Sequence, residues 1–208
     1  MKLNYLRIIF MLMALGATGL YTYGLMKERK VKQTQLSGHS TQVVEGQAQV
    51  GGPFELKDIN GQVRTTADLK GLYAAVYFGY TFCPDICPMA MHHMTLALKE
   101  LGKQADQIQP VFITIDPQRD KPKEIKAYLS QFDSRFWGLY GDQKATKKAI
   151  DAYKVYAIKQ PSGHGSEHYV MDHSSIIYIM APDGTYIGHF THATSVKEMV
   201  RDLKAWIK

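Results

Sequence analysis

The sequence predicts an α/β fold, a β-sheet covered by helices, on three observations. Ala74-Ala75-Val76-Tyr77-Phe78 and Val111-Phe112-Ile113-Thr114-Ile115 are short continuous apolar runs, the pattern of strands buried on both faces. Each is followed by a loop and then a helical pattern. The chain closes on an apolar hairpin and one amphipathic helix. Strands that alternate with helices and end in a hairpin and helix fit a layered sandwich.

From the N-terminus, residues 1–30 read as a membrane anchor or signal-anchor. Lys2 and Arg7 precede Ile8 to Met26, which carries no charge and is long enough for one membrane helix, which needs about 20 residues. A cleaved secretory signal competes, with Ala14-Leu15-Gly16 as a small-x-small site. The uncharged stretch outlasts a signal core and favours the anchor. Lys27, Arg29, Lys30 and Lys32 run against the positive-inside count, but a long following domain translocates largely regardless of such charges. The few residues ahead of Ile8 leave no room for a mitochondrial presequence. The expected location is therefore a bacterial cytoplasmic membrane, crossed once, with the C-terminal domain in the periplasm. Residues 31–50 are polar and read as a flexible tether.

The domain expected over 51–208 opens with a hairpin, Phe54–Ile59 and Gln62–Arg64 around the turn signal Asn60-Gly61. The strand ending at Phe78 leads into a loop with two cysteines and a helix from about Pro88 to Leu101. Asp116-Pro117-Gln118-Arg119-Asp120 breaks the strand at 111–115, and a helix follows over 122–132 with proline in its first turn. Asp142 caps a helix through Tyr153. Val155–Ile158 is a strand, Gln160 to Glu167 a loop. Ser175–Met180 and Tyr186–Phe190 form a hairpin around Pro182-Asp183-Gly184. Ser195 caps the last helix, whose Val196, Met199, Val200, Leu203 and Ile207 make one apolar stripe. This order describes a thioredoxin-like α/β fold with an N-terminal β-hairpin extension, preceded by a single transmembrane helix.

The net charge of +6 is misleading. Residues 1–32 hold six Lys/Arg and one acid, so the remainder is close to neutral. A neutral domain lacks the basic face that phosphate contacts require, which excludes a nucleic-acid-binding role.

The chemistry concentrates in Tyr80-Thr81-Phe82-Cys83-Pro84-Asp85-Ile86-Cys87-Pro88, which holds both cysteines of the chain. At a strand-to-helix junction, backbone N–H groups and the helix dipole favour thiolate over thiol. Thiolates act as redox nucleophiles or as soft metal ligands. A purely structural disulfide fits poorly, because a bridge across three residues removes little chain entropy. A metal reading needs a third ligand among the eight histidines. His39 lies in the tether, His92 and His93 on the helix after the cysteines, His164 and His168 in a Gly-rich loop, and His189 and His192 around the final strand. His173 stands in Met171-Asp172-His173-Ser174-Ser175, directly before an apolar strand. In thioredoxin-like folds the loop entering that strand packs on the cysteine loop, and redox members place a cis-proline there. This chain has no proline between Pro161 and Pro182. His173 is thus either a ligand facing two thiolates or a satisfied strand-edge residue.

Taken together, Tyr77-Phe78-Gly79-Tyr80-Thr81-Phe82-Cys83-Pro84-Asp85-Ile86-Cys87-Pro88, Thr114-Ile115-Asp116-Pro117-Gln118-Arg119-Asp120 and Asp172-His173-Ser174 resemble the SCO/SenC family. The likeness runs from about Gly51 to Lys208. It implies a membrane-tethered, thioredoxin-fold copper chaperone that helps assemble the CuA centre of cytochrome c oxidase. The implied metal ligands are Cys83, Cys87 and His173, with one copper ion per chain, Cu(I) with Cu(II) as the alternative. The implied partners are the CuA-bearing oxidase subunit, an upstream copper donor and a thiol reductant. Asp172 or Asp85 is expected to orient the imidazole, and Asp116 to serve loop structure. His164 and His168 read as a solvated loop, with an auxiliary copper site as the alternative.

Three functions compete. The first is a copper-binding assembly factor that is not a turnover enzyme. The second is a thiol-disulfide oxidoreductase, a reductase acting through the redox-active pair Cys83 and Cys87; against it stand the CxxxC spacing and the missing proline. The third, a thiol peroxidase, has no support beyond the thiol itself.

Overall fold

The computed structural model describes residues 49–161 and 169–207. The anchor expected at 1–30, most of the tether, and His39, His164 and His168 lie outside the described residues. Among the described residues no helix is long and apolar enough to cross a membrane.

The opening hairpin pairs β1 (Glu55–Asp58) with β2 (Val63–Thr65). Its turn is built by Asp58, whose buried carboxylate accepts the N–H groups of Asn60 at 2.9 Å and Gln62 at 3.0 Å and the Nε–H of Arg64 at 3.0 Å. Gly61 supplies the left-handed conformation at φ +82°.

The two apolar runs become the parallel centre of the sheet, β3 (Tyr73–Gly79) and β4 (Ile108–Thr114), in register from Tyr73↔Ile108 to Gly79↔Thr114. Between them runs α1 (Ile86–Leu101), which starts two residues before the expected Pro88, so that Cys87 lies in its first turn. After β4 come α2 (Pro122–Leu129), shorter than the expected 122–132, then β5 (Trp137–Tyr140) and α3 (Gln143–Ala152). Asp142 caps α3 as expected, accepting the Ala145 N–H at 2.7 Å.

The strand expected at 155–158 is β6 (Ala157–Pro161), which pairs antiparallel with β7 (Tyr169–His173) in a separate two-stranded ribbon. The closing hairpin is β8 (Ile176–Met180) and β9 (Tyr186–Thr191), and the last helix is α4 (Val196–Trp206). Ser195 and Glu198 form a reciprocal capping box at its start, and Met199, Val200 and Leu203 are buried.

The main sheet has the order β2-β1-β5-β4-β3-β8-β9. The opening hairpin is therefore stitched into the sheet through β1 against β5. Side chains of β3 divide the core. Phe78 packs on Tyr153 and Tyr178, while Tyr77 and Gly79 face Cys87. Helices α1 and α4 pack on one another.

Candidate metal centre

Strand β3 ends at Gly79, and the chain turns through Tyr80–Asp85 into α1. The turn delivers the chain into a helix, but the atom that accepts at its start is a sulfur. Asp85, the residue at the cap position, makes no side-chain cap bond. Instead the Cys87 N–H points at Cys83 Sγ, 3.4 Å away. Cys83 thus occupies the place where a helix N-terminus favours negative charge. Cys87 lies one turn further in, at 0 % exposure. Its sulfur fits because residue 79 is glycine: a Cβ there would stand 3.2 Å from Cys87 Sγ and 2.8 Å from the Tyr77 ring.

The third side chain arrives from the far end of the chain. His173 closes β7, and its Nε2 lies 3.4 Å from Cys87 Sγ. Its Nδ1 lies 3.0 Å from the Ser174 carbonyl oxygen. A carbonyl only accepts, so Nδ1 carries the proton and Nε2 keeps its lone pair toward the sulfurs. The ring is held edge-on by Tyr80 and Tyr77, with centroids 5.8 Å and 6.3 Å away. Cys83, Cys87 and His173 offer ligand atoms that all lie within 4.8 Å of one another, the one such group among the described residues.

Both cysteines are free, and they share protons unequally. The Cys87 thiol, hydrogen-bonded to Cys83, lowers the Cys83 pKa to about 3, with help from the Asp85 and Cys87 N–H groups and against the effect of burial. The same bond, with burial, pushes Cys87 up. The pair is thus one thiolate and one thiol, the thiolate half-buried and the thiol enclosed. The site opens into a groove of about 590 Å³, whose lining includes Tyr80, Cys83, Ile86, Met171, His173 and His192.

Among the described residues, the remaining histidines stay apart. His92 is exposed on α1, His93 is half-buried, and His189 is paired with the Tyr186 hydroxyl at 2.6 Å. His192 is exposed on the rim of the groove. One expectation is corrected. The imidazole is oriented by the Ser174 carbonyl, not by Asp172 or Asp85, which are both exposed. A backbone group does this work because β7 ends there and leaves that carbonyl turned toward the ring.

Asp116 does serve loop structure, accepting from Arg119 Nε, from the Tyr169 hydroxyl at 2.8 Å and 3.0 Å, and at its N–H donating to Thr114 Oγ1. Sequence reasoning did not single out Asp120 or Tyr77. Asp120 ties the cysteine loop to β4, accepting from Thr81 Oγ1 and Thr114 Oγ1 at 2.6 Å each and from the Thr81 N–H at 3.0 Å. The Tyr77 hydroxyl bonds Ser175 Oγ at 3.1 Å and also lies against the Cys87 sulfur. The signal for Asp120 was its place in the DPQRD segment; a tyrosine inside a buried apolar strand gives none.

The SCO1/SenC family model matches residues 42–208. The chain belongs to the SCO1/SenC family. A SCO2-like protein of Rickettsia felis is 37 % identical over 205 residues, covering 98 % of each chain. Among solved structures, copper-bound ScoI of Bradyrhizobium japonicum is 42 % identical with a TM-score of 0.69, over 76 % of this chain and 99 % of that one. BsSco, a Sco-family cytochrome c oxidase assembly protein in which a disulfide switch was identified, is 23 % identical with a TM-score of 0.60, over 79 % and 97 %, and shares the fold. The thioredoxin-like α/β architecture is thus that of the Sco proteins.

Proposed function

We propose that this chain is a copper-binding assembly factor for cytochrome c oxidase, holding copper as cargo on Cys83, Cys87 and His173. The observation that carries this reading is the convergence of two sulfurs and an Nε2 lone pair within 4.8 Å. The donor set fits. Thiolate selects Cu(I) or zinc, and imidazole suits both. A structural zinc site is closed by four ligands, whereas three donors at a groove leave room for a ligand from a recipient. That arrangement suits handover, and the copper-bound relative at 42 % identity favours copper over zinc. The recipient is the CuA-bearing oxidase subunit, with an upstream copper donor and a thiol reductant feeding the site. Residues 1–30 tether the domain to a bacterial cytoplasmic membrane, and the domain works in the periplasm.

Copper content and thiol titre of the reduced full chain, loaded without oxygen, test the reading. One tightly held copper, lost or much weakened in His173→Ala, supports it. Copper that survives the substitution removes His173 as a ligand.

A second reading rests on the half-buried Cys83 thiolate. Cys83 attacks one sulfur of a partner disulfide, and the partner's other sulfur leaves as a thiolate and takes up a proton. Cys87 then gives up its proton and attacks the Cys83 sulfur, releasing the second partner thiol. Two electrons pass to the partner, and the Cys83–Cys87 disulfide awaits the upstream thiol reductant. Absence of stoichiometric copper together with rapid reduction of a model disulfide would put this role first.

A further inference from the structure

His173 sits on a structurally weak support. The β6–β7 ribbon has two strands and makes no ladder with the main sheet, and a two-stranded hairpin is marginally stable on its own. Its register places Ala157 with His173, Lys159 with Met171 and Pro161 with Tyr169. Alternation along β7 turns Tyr169, Met171 and His173 inward, while Val170 and Asp172 are exposed. Whatever fixes Tyr169 therefore fixes the strand that ends in the imidazole.

Two side chains join that strand to the cysteine loop: Tyr80, whose hydroxyl is bonded to the Met171 backbone, and Arg119, which reaches Tyr169. Arg119 donates from Nη1 to the Tyr169 carbonyl at 2.8 Å, and its guanidinium carbon lies 3.5 Å from the Tyr169 ring centroid. The same guanidinium stands 5.0 Å from the Phe82 ring and 5.7 Å from the Tyr80 ring, both in the loop just ahead of Cys83. Asp116 holds it in place through Nε and also accepts the Tyr169 hydroxyl. Phe82 is 54 % exposed, so its ring serves this stack rather than the core. The planar fork of an arginine can donate in plane and stack on aromatic faces at once; a lysine cannot.

From this geometry we infer that Arg119 is a positioning residue of the metal centre, clamping β7 to the cysteine loop so that His173 meets Cys83 and Cys87. The inference rests on the copper reading for its consequence and on the metal-free protein for its geometry, so the two are tested apart.

The first measurement uses the copper-free, reduced full chain in detergent. Proton NMR of the parent shows His173 ring protons shifted by the Tyr77 and Tyr80 rings, with cross-peaks to both. In Arg119→Ala those cross-peaks vanish while buried β3 and β4 resonances stay in place. Unchanged His173 cross-peaks overturn the inference, whatever the protein does with copper. The second measurement is Cu(I) competition against a chromophoric chelator in a double-mutant cycle with His173→Ala. Arg119→Ala weakens Cu(I) about tenfold or more where His173 is present, and less than about twofold where it is absent, because the two changes remove one interaction. X-ray absorption of the copper-loaded Arg119→Ala protein loses the nitrogen neighbour and keeps the sulfurs. Equal weakening in both backgrounds, or a retained nitrogen neighbour, refutes the positioning role. Arg119→Lys keeps the charge beside Asp116 but not the planar stack, and it carries the same tests if the alanine variant does not fold.

Discussion

The Nε2 of His173 lies 3.4 Å from the Cys87 sulfur although 86 residues separate them in sequence. Strand pairing makes this contact. Strand β8 runs antiparallel to β3 with Ile177 opposite Tyr77, so the residues just before β8 are carried to the end of β3 where the cysteine loop begins. The Tyr77–Ser175 bond closes the same junction from inside. The metal centre is therefore a by-product of sheet register, and shifting that register by one residue would turn every side chain to the opposite face.

The unequal proton sharing predicts a pH signature in the copper-free protein. Cys83 has a pKa lowered to about 3, so its thiolate persists through the weakly acidic range where a free cysteine is protonated. Alkylation by iodoacetamide should modify one equivalent per chain at nearly constant rate from about pH 8 down to about pH 5. Cys87, pushed up by Cys83 and burial, should react only after unfolding. Mass spectrometry assigning the modified residue checks both points. Equal labelling of the two cysteines, or a rate that falls tenfold per pH unit below about 8, would contradict the pairing.

What was readable beforehand follows the type of interaction. Strands β3 and β4 announced themselves because both faces are buried and nearly every residue is apolar. The caps Asp142 and Ser195 were readable because capping is local. Strand β5 was not, since its four residues include Gly138 and its existence depends on β1 and β4 on either side. Strand β7 was not read as a strand, because the apolar Val170 faces outward between Tyr169 and Met171 and hides the alternation. Within the site, the cysteines were marked by spacing and His173 by its position before β8. The Ser174 carbonyl left no trace in the sequence, since any residue there supplies one.

Gly79→Ala tests how tightly the cysteine pocket is built. The added methyl would lie 2.8 Å from Tyr77 Cε1, 3.1 Å from Phe112 Cε2 and 3.2 Å from Cys87 Sγ. All three groups are themselves buried. Overpacking of this kind costs about 1–3 kcal/mol. Denaturant unfolding should show that loss, and copper affinity should drop with it because Cys87 must move. Full retention of both would mean that the pocket has slack.

Asp142→Ala provides the contrasting case. It deletes the acceptor of the Ala145 N–H at the start of α3, worth about 1 kcal/mol at a helix N-cap. No group of the metal centre is involved. Unfolding should occur at lower denaturant while copper stoichiometry and Cu(I) affinity stay at parental values. A fall in affinity would tie α3 to the site by a route these contacts do not contain.

Asp120→Asn separates a buried acceptor from its charge. Burial raises the Asp120 pKa above its ordinary 3.8, although Thr114 and Thr81 donate to it. The native protein therefore binds the Asp120 proton more tightly than the unfolded chain does. Its contribution to stability is fully present below 3.8 and is lost as the pH rises through the native pKa. Asparagine keeps one carbonyl acceptor and has no such slope. Stability of the parent minus that of Asp120→Asn, followed by denaturant unfolding, should thus decrease from pH 4 toward neutrality and then level off. A difference that instead grows with pH would mean that the three hydrogen bonds to the carboxylate outweigh its burial. At any pH the variant should also loosen the Thr81 end of the cysteine loop, because one carbonyl cannot replace acceptors that now serve Thr81 N, Thr81 Oγ1 and Thr114 Oγ1. The readout for that is faster amide exchange at Thr81.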